Sequence, residues 1–288
     1  MIKVTYDGGQ VTVNGKQYDN KVTSYVLVNI KNDALSMEPV AGNTDTFKST
    51  LEDIDFSSWK IKINREVGSE EVQFSYDAFE VENLDPFLWN KTQKISLRLK
   101  ENLDIRCYPT IYIEESDTLD IVKYVDLEPK GTTVSTDGKS YVLDNLVTEA
   151  DGTIALGGTN FIFGPGSSKE TQAEKNAEIV KIYVPRTSDK YGSLTFGTRV
   201  SIKGSSQKIK IVMDKPGNIV VFYASTGDEE REVVLTDEAG DEIGAASTTS
   251  KKQEICKVIF TCPKAGTYYV SNPSGGIYVH GFVIAKNK

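Results

Sequence analysis

The sequence is poor in the residues that most often carry chemistry: it has one histidine, His280, and three cysteines, Cys107, Cys256 and Cys262, in 288 residues. One His and three scattered Cys offer no ligand pairs at zinc spacing, so a zinc site of the His/Cys type is excluded by count. An odd number of cysteines in a long chain does not describe a disulfide framework. Cys256 and Cys262 fall on one expected strand, about 20 Å apart at ~3.3 Å per residue, too far to bridge each other. Three buried, reduced thiols are expected. Long apolar runs are missing too. Nothing approaches the ~18 residues of a membrane-spanning helix, which predicts a soluble chain. Met1-Ile-Lys-Val-Thr-Tyr-Asp-Gly-Gly9 reads as an alternating strand and a turn, without the basic and apolar regions of a signal peptide. Basic charge is short: 33 Lys+Arg against 41 Asp+Glu give a net charge of −8. That balance argues against nucleic-acid or anionic-membrane binding, both of which need clustered Lys and Arg. No repeat of 20 to 50 residues is present, which argues against a solenoid or propeller.

What is present is unevenly divided. Residues 1–130 hold 15 basic and 23 acidic side chains (net −8), and residues 131–288 hold 18 of each (net 0). Five glycines lie in the first part and eighteen in the second. Two domains are expected, 1–130 and 131–288. The boundary is placed near Asp126-Leu-Glu-Pro-Lys-Gly131, where Pro, Gly and the polar Thr132–Gly138 read as a linker.

Apolar and polar residues alternate over most of the length, in short runs bounded by Gly, Asn, Asp and Pro, which is the all-β pattern. Ile2–Tyr6 and Gln10–Asn14 read as a hairpin around Asp7-Gly-Gly9, since Asp-Gly supplies the positive φ a tight turn requires. Tyr25–Ile30 extends it. Strands are further expected at Trp59–Ile63, Glu71–Tyr76, Lys94–Leu99 and Thr110–Ile113. Phe47–Phe56 and Asp77–Trp89 have mixed spacing and suit a helical turn or a long ordered loop. In the second part strands are expected at Tyr141–Leu143 and then, past a Gly-rich stretch (152–166) and a polar insertion (167–178) that reads as helical or loose, at Ile179–Val184, Leu194–Lys203, Lys208–Met213, Asn218–Ser225, Glu232–Thr236, Ile255–Thr261, Gly266–Ser271 and Gly276–Ala285. The fold class is all-β: an N-terminal antiparallel β domain followed by a jelly-roll β-sandwich.

Candidates for chemistry are few. A Ser/His/Asp or Cys/His mechanism would run through His280, which alternation places on one face of its strand with Tyr278 and Phe282, as a packed or rim residue. Gly164-Pro-Gly-Ser-Ser-Lys169 lacks the Gly-Lys-Ser/Thr ending of a phosphate loop. Glu52-Asp-Ile-Asp55 and Asp228-Glu-Glu230 lack EF-hand spacing and read as solvated surface. Among 41 acids some pair always has a glycosidase separation, so the carboxylates discriminate nothing. Aromatic residues on the strands (Tyr183, Tyr191, Phe196, Phe222, Tyr223) either stack on sugars or fill the core. The candidate ligand residues are Tyr268, Tyr269, Tyr278 and His280, and alternation turns one of Tyr268 and Tyr269 inward and the other outward. Asp77–Trp89 concentrates large apolar side chains, which suits core packing or an interface. Phe79, Phe87, Leu88 and Trp89 are its candidate residues for docking a protein partner.

Tyr141-Val-Leu-Asp-Asn-Leu146, Ile179-Val-Lys-Ile-Tyr-Val-Pro185, Lys208-Ile-Lys-Ile-Val212 with Val220-Val-Phe-Tyr223, Ala265-Gly-Thr-Tyr-Tyr-Val-Ser271 and Gly276-Ile-Tyr-Val-His-Gly-Phe-Val-Ile284 together carry a resemblance. Over about residues 135–286 the chain resembles the galactose-binding-like β-sandwich domains appended to secreted bacterial pectate lyases and related polysaccharide-degrading enzymes. The resemblance implies a carbohydrate-binding-like sandwich and assigns no ligand site by itself. Members of that family sit beside a catalytic domain and behind a signal peptide. Here the neighbour is an acidic β segment, and in this organisation the whole chain looks like a virion-surface protein of a tailed bacteriophage, a capsid decoration protein or a head or tail fibre. That likeness implies a non-enzymatic protein of the virion, assembled in the host bacterial cytoplasm. Residues 1–130 would anchor it to capsid or tail subunits or to further copies of itself, and residues 131–288 would be displayed toward host-surface or mucosal glycans. It implies no cofactor, leaves room for a structural Ca²⁺ ion, and involves neither nucleic acid nor membrane. The alternatives are a stand-alone carbohydrate-binding module and, behind it, a glycoside hydrolase or lyase.

Overall fold

The computed structural model describes residues 2–26, 32–125, 127–134, 136, 141–142, 154–156, 160–162, 180–182, 198–204, 207–273 and 275–288. Every regular element among them is a β-strand. The polar insertion 167–178, the loop 164–169 and Tyr183, Tyr191 and Phe196 lie outside the described residues. So do most of 152–166 and parts of the strands expected at 25–30, 141–143, 179–184 and 194–203.

The first two strands, β1 (Ile2–Val13) and β2 (Lys16–Val26), form a ribbon of their own. Its turn is not at Asp7–Gly9. Val13 pairs with Lys16 across Asn14 and Gly15, whose φ of 51° and 74° are those of a two-residue hairpin loop. Gly8 and Gly9 instead form a bulge within β1, where the register shifts between Asp7 and Gln10. Two Gly-containing turn signals compete in this stretch, and the one that leaves two long, fully paired strands wins.

The acidic part that follows contains β3 (Ala34–Pro39), β4 (Thr46–Phe47), β5 (Lys60–Arg65), β6 (Ser69–Gln73), β7 (Phe79–Glu82), β8 (Lys91–Lys94), β9 (Ser96–Leu99), β10 (Asn102–Cys107) and β11 (Thr110–Ile113). They make three small sheets, in the orders β3-β5-β6, β10-β9-β7 and β4-β11-β8. Alternation along them turns Ile61 and Ile63, Phe79 and Val81, Leu97 and Leu99, and Ile111 and Ile113 inward. An aromatic cluster fills the centre: Phe56 meets Trp59 edge-on at 5.1 Å, and Phe74 stacks on Phe79 at 5.5 Å. The buried Trp59 indole N–H donates to the Thr44 carbonyl at 2.8 Å, so its one polar atom is satisfied. The 47–56 stretch is an ordered loop after β4, and 77–89 carries β7 between turns.

The sandwich comprises β12 (Leu119–Val125), β15 (Ile154–Ala155), β16 (Asn160–Ile162), β17 (Val180–Ile182), β18 (Thr198–Lys203), β19 (Lys208–Met213), β20 (Gly217–Ser225), β21 (Glu232–Asp237), β22 (Glu242–Ser247), β23 (Cys256–Cys262), β24 (Gly266–Ser271) and β25 (Gly276–Asn287). Its first sheet runs β17-β18-β25-β20-β23, with β12 also on β25; its second runs β15-β16-β19-β24-β21-β22. The short pair β13 (Thr133–Val134) and β14 (Tyr141–Val142) precedes it. From β18 to β25 the chain crosses between the sheets at nearly every step, in the manner of a jelly roll. Ile219, Val221, Tyr223, Phe282 and Ile284 of the first sheet face Ile209, Ile211, Leu235, Tyr268 and Val270 of the second in one core.

β12 moves the expected boundary. Leu119–Val125 pairs antiparallel with β25, and Val125 and Leu127 lie in the sandwich core, so the chain enters the sandwich before residue 119 and not near 130. The Pro and Gly at 129–131 mark a bend inside the sandwich, where Pro129 bridges to Leu156.

The acidic part does not hang free of the sandwich. Leu51, Phe87 and half-buried Trp89 pack on Val220, Phe222, Val283 and Ala285, the residues of β20 and β25 that point away from the sandwich core. Phe87 meets Phe222 edge-on at 6.2 Å. Lys257 of β23 donates to the Leu51 carbonyl at 3.0 Å and pairs with Asp53 at 2.6 Å. The 85–89 loop is held in place by buried Gln93, whose amide accepts from Asp85 N–H at 2.9 Å and donates to the carbonyls of Asp85 (2.8 Å) and Leu88 (3.2 Å). Burial raises the Asp85 carboxyl, against the opposing pull of the Phe87 and Leu88 amides. This corrects the expected docking residues. Phe79 is fully buried in the acidic core, Phe87 and Trp89 are consumed by the contact with the sandwich, and Leu88 is half-buried beside them. A Phe deletion in a packed site costs about 3 kcal/mol or more, from lost transfer energy plus the cavity left behind. Phe87→Ala is therefore expected to lower the stability measured by urea unfolding by about 3 kcal/mol, whereas half-exposed Leu88→Ala stays within about 1 kcal/mol. Equal effects of the two would contradict the contact described.

Candidate functional site

The sandwich has two outer faces, and they differ. On the first sheet, β25 is the long central strand. It pairs with β20 along one edge, and with β18 and then β12 along the other. Tyr223 pairs with Val279 but Phe222 pairs with Gly281, so His280 is an extra residue, a bulge. The bulge changes the phase of the strand. Ile277 and Val279 point into the core before it, and Phe282 and Ile284 do so after it. His280 thus does not share a face with Phe282, as unbroken alternation predicts. It is buried, 3% exposed. Tyr278, two residues earlier, is half-buried, with the Arg199 guanidinium over its ring at 3.8 Å from the centroid. Val220, Phe222, Val283 and Ala285 on this outer face lie under Leu51, Phe87 and Trp89.

On the second sheet the adjacent tyrosines divide as alternation requires. Tyr268 is 0% exposed in the core, and its hydroxyl donates to the Lys264 carbonyl at 2.8 Å. Tyr269 points out of the sandwich and is half-buried. Register then builds its surroundings. Tyr269 stands opposite Lys210 of β19 on one side and Thr236 of β21 on the other. Extended outward, the row reads Asn160, Lys210, Tyr269, Thr236, Glu242 across five strands. At about 4.8 Å between strands the row is about 19 Å wide. Next to it, the Lys208 ammonium lies over the Tyr269 ring, 5.5 Å from its centroid and farther off than Arg199 from Tyr278, and Thr267 and exposed Val212 form the neighbouring pair. Thr236 Oγ1 is buried without a hydrogen-bond partner among the described residues.

Of the four expected ligand residues, only Tyr269 is thus presented on an open sheet face. Tyr268 and His280 are buried, and Arg199 covers the ring of Tyr278. The strand face carrying Lys208 and Lys210 was not among the expected site residues. The signal for it is the Lys-Ile-Lys-Ile alternation of β19, which puts both lysines on the side opposite Ile209 and Ile211.

A cleft of about 480 Å³ lies at the end of this sheet, between the 237–239 turn and Lys264–Tyr268. Its acid is already employed: Asp237 accepts from the amides of Ala239 (2.9 Å) and Asp241 (3.1 Å) and from Lys264 (3.2 Å). Burial pushes this carboxyl up, but Lys264 and those amides outweigh it and hold the group below the usual carboxylate range. The carboxylate therefore builds the turn. Among the described residues no group of three or more His, Cys, Asp or Glu is placed to hold a metal ion.

No protein-family model and no curated protein matches the chain. Among solved structures, it is similar to the carbohydrate-binding module CsCBM6-3 of Clostridium stercorarium, solved with cellobiose, at 14% identity over 31% of this chain and 74% of that one, with a TM-score of 0.25. It is similar to the C-terminal CBM6 of LamC, a laminarinase of Zobellia galactanivorans, at 16% identity over 44% and 99% of the two chains, with a TM-score of 0.27. A third similarity, to the CBM51-2 and INT domains of Clostridium perfringens ZmpB, spans 86% of this chain and 48% of that one at 9% identity and a TM-score of 0.33. Likenesses this remote say nothing of what this chain binds.

None of the three cysteines is in a disulfide; Cys107 and Cys262 are buried and Cys256 is half-buried at the edge of the core. Burial pushes the Cys107 thiol up to about 11 and the Cys262 thiol to about 12, from an ordinary 9.0. Both shifts make the folded state hold its protons more tightly than the unfolded one. The stability they contribute is therefore complete below pH 9.0 and is lost as pH rises through about 11 and about 12. The urea midpoint is expected to fall above pH 9.0, and less steeply in the Cys107→Ala/Cys262→Ala chain. At pH 8 a disulfide reagent is expected to label Cys256 in the native chain and all three thiols only in urea. Rapid native labelling of Cys262 would contradict this picture.

Proposed function

We propose that the chain is a non-catalytic carbohydrate-binding protein, and that its sandwich takes a short oligosaccharide on the outer face of the second sheet with Tyr269 as the platform. One observation carries this reading: a tyrosine in the middle of an open sheet, with Lys210 and Thr236 directly across from it on both sides. A sugar offers an apolar ring face and a rim of hydroxyls. An aromatic ring beside an ammonium matches both, as binding sites generally combine apolar surface with a few placed polar groups.

Binding in place of turnover is supported by the position of the sole histidine, buried in a strand bulge away from this face. The virion-surface role expected from the split composition draws no support from the geometry, and the stand-alone carbohydrate-binding reading takes its place.

The test is a glycan array followed by calorimetry on the tightest oligosaccharide. Tyr269→Ala is expected to weaken binding about 30-fold, as for a central aromatic anchor, while leaving the melting temperature nearly unchanged. Tyr268→Ala instead unfolds the sandwich at lower temperature, by about 3–5 kcal/mol of stability. An array without a bound glycan, or binding indifferent to Tyr269→Ala, would overturn the proposal.

A further inference from the structure

Asparagine followed by glycine occurs once in the sequence, at Asn14-Gly15. The fold sets that pair at the tip of the β1–β2 ribbon. Asn14 and Gly15 are the two central residues of the hairpin loop, both exposed and both at positive φ (51° and 74°). Val13 and Lys16 form the last pair of the ladder, so the Gly15 N–H stands outside it and enters no backbone hydrogen bond among the described residues. Nothing crowds this nitrogen either: a Cβ placed on Gly15 meets no atom within 4 Å. The Asn14 carboxamide next to it likewise makes no hydrogen bond among the described residues. An exposed, unengaged amide carbon thus sits beside an exposed, unengaged amide nitrogen on a residue without a side chain.

Other asparagines are held or shielded. Asn32 accepts from the Val67 N–H at 2.8 Å and donates to its carbonyl at 3.2 Å, and Asn43 does the same with Lys60, at 2.9 and 2.8 Å. Asn83 and Asn90 share the positive φ, 59° and 55°, but Leu84 and Lys91 follow them, and a side chain at that place hinders approach to the backbone nitrogen. Asn90 also accepts from the Tyr112 hydroxyl at 2.7 Å. Within the ribbon, Asp7-Gly8 is the other Gly-flanked pair. A carboxylate is a poorer electrophile than an amide, and this one accepts from the Gly9 N–H at 3.1 Å and pairs with Lys21 at 3.6 Å. The ribbon also yields easily. Among the described residues β1 and β2 pair only with each other, and a two-stranded ribbon is marginally stable in water, so openings that release its loop cost little free energy.

We propose that Asn14 is a site of spontaneous covalent modification, converting through a cyclic imide to aspartyl and isoaspartyl forms, and that the isoaspartyl form opens the ribbon. Hydroxide takes the Gly15 amide proton, and the nitrogen then forms a bond to Asn14 Cγ. The Cγ–Nδ2 bond breaks, and Nδ2 leaves as ammonia with a proton from water, closing a five-membered imide. Water reopens the ring at either carbonyl. Opening at Cγ gives the aspartyl form. Opening at the main-chain carbonyl leaves Gly15 attached through Cγ, the isoaspartyl form, with one extra carbon in the backbone. Each form carries a carboxylate in place of a neutral amide. The two differ in what they do to the turn. Asp-Gly suits the same two-residue loop as Asn-Gly, so the aspartyl form keeps the hairpin. The longer backbone of the isoaspartyl form does not fit a loop matched to the twist of its strands, and the ladder loses the turn that closes it at Val13 and Lys16.

Peptide mapping by mass spectrometry, with the two products separated chromatographically, tests it on the full chain aged in mildly alkaline buffer. Asn14 is expected to convert ahead of every other asparagine, giving both products. The same chain in urea supplies the rate of the unfolded sequence. The native rate should fall within about tenfold of it, because releasing the loop costs little. Amide hydrogen exchange then reads the consequence: the isoaspartyl fraction should lose protection across β1 and β2 and nowhere else, while the Asn14→Asp chain keeps it. Native conversion slowed by about a hundredfold or more relative to urea, or faster conversion at another asparagine, would overturn the proposal. So would ribbon protection that survives in the isoaspartyl fraction, or that is lost equally in the Asn14→Asp chain.

Discussion

The last strand, β25, is the constraint on which the rest of the structure depends. It runs through the middle of the first sheet with neighbours on both edges, and its bulge at His280 sorts its residues onto two apolar faces. Ile277, Val279, Phe282 and Ile284 close the sandwich core, while Val283 and Ala285 receive Leu51, Phe87 and Trp89 from the acidic part. Without the one-residue shift, Phe282 would leave the core and Val283 would leave the contact, since strand side chains alternate strictly. A single backbone irregularity thus lets one strand serve two hydrophobic clusters.

Function follows from what that arrangement closes. With part of the first sheet's outer face covered by the acidic part, the second sheet is the one whose outer face no described element covers. There the polar partners of the core-facing Ile209, Ile211 and Val270 are Lys208, Lys210 and Tyr269. The contact across the first sheet is mainly apolar, and its ion pair with Asp53 is anchored by a nearly buried lysine: the Lys257 side chain is 6% exposed and also bonds the Leu51 carbonyl. Breaking such a pair by removing one partner leaves a buried charge, so it acts more as a lock on the orientation than as a source of affinity.

Much of this was legible in the residues. Alternation and turn signals located most of the sandwich strands that the structure describes, and the inward and outward tyrosines at 268 and 269. What was not legible has physical causes. A bulge at His280 adds one residue that no local composition announces, and it reverses every later assignment on that strand. Asp7-Gly-Gly9 and Asn14-Gly15 are both good turn sequences, and only the pairing of the whole ribbon decides between them. β12 joins the sandwich by pairing with a strand more than 150 residues away, a long-range choice that neither the Pro–Gly bend at 129–131 nor the charge shift reports. Phe87 and Trp89 read as interface residues because they are large, apolar and loop-borne. They do form an interface, but with the chain's own sandwich, and buried Gln93 that shapes their loop carries no sequence signal beyond its polarity.

The central claim is that the sandwich binds sugar on the second sheet and not on the first. Amide hydrogen exchange, with and without a saturating amount of the tightest oligosaccharide from an array, tests it directly. The account predicts added protection in β19, β24 and β21, centred on Lys210, Tyr269 and Thr236, with β18, β23 and the 85–89 loop unchanged. Protection centred on Arg199, Tyr278 and His280, or in the acidic part, would contradict it.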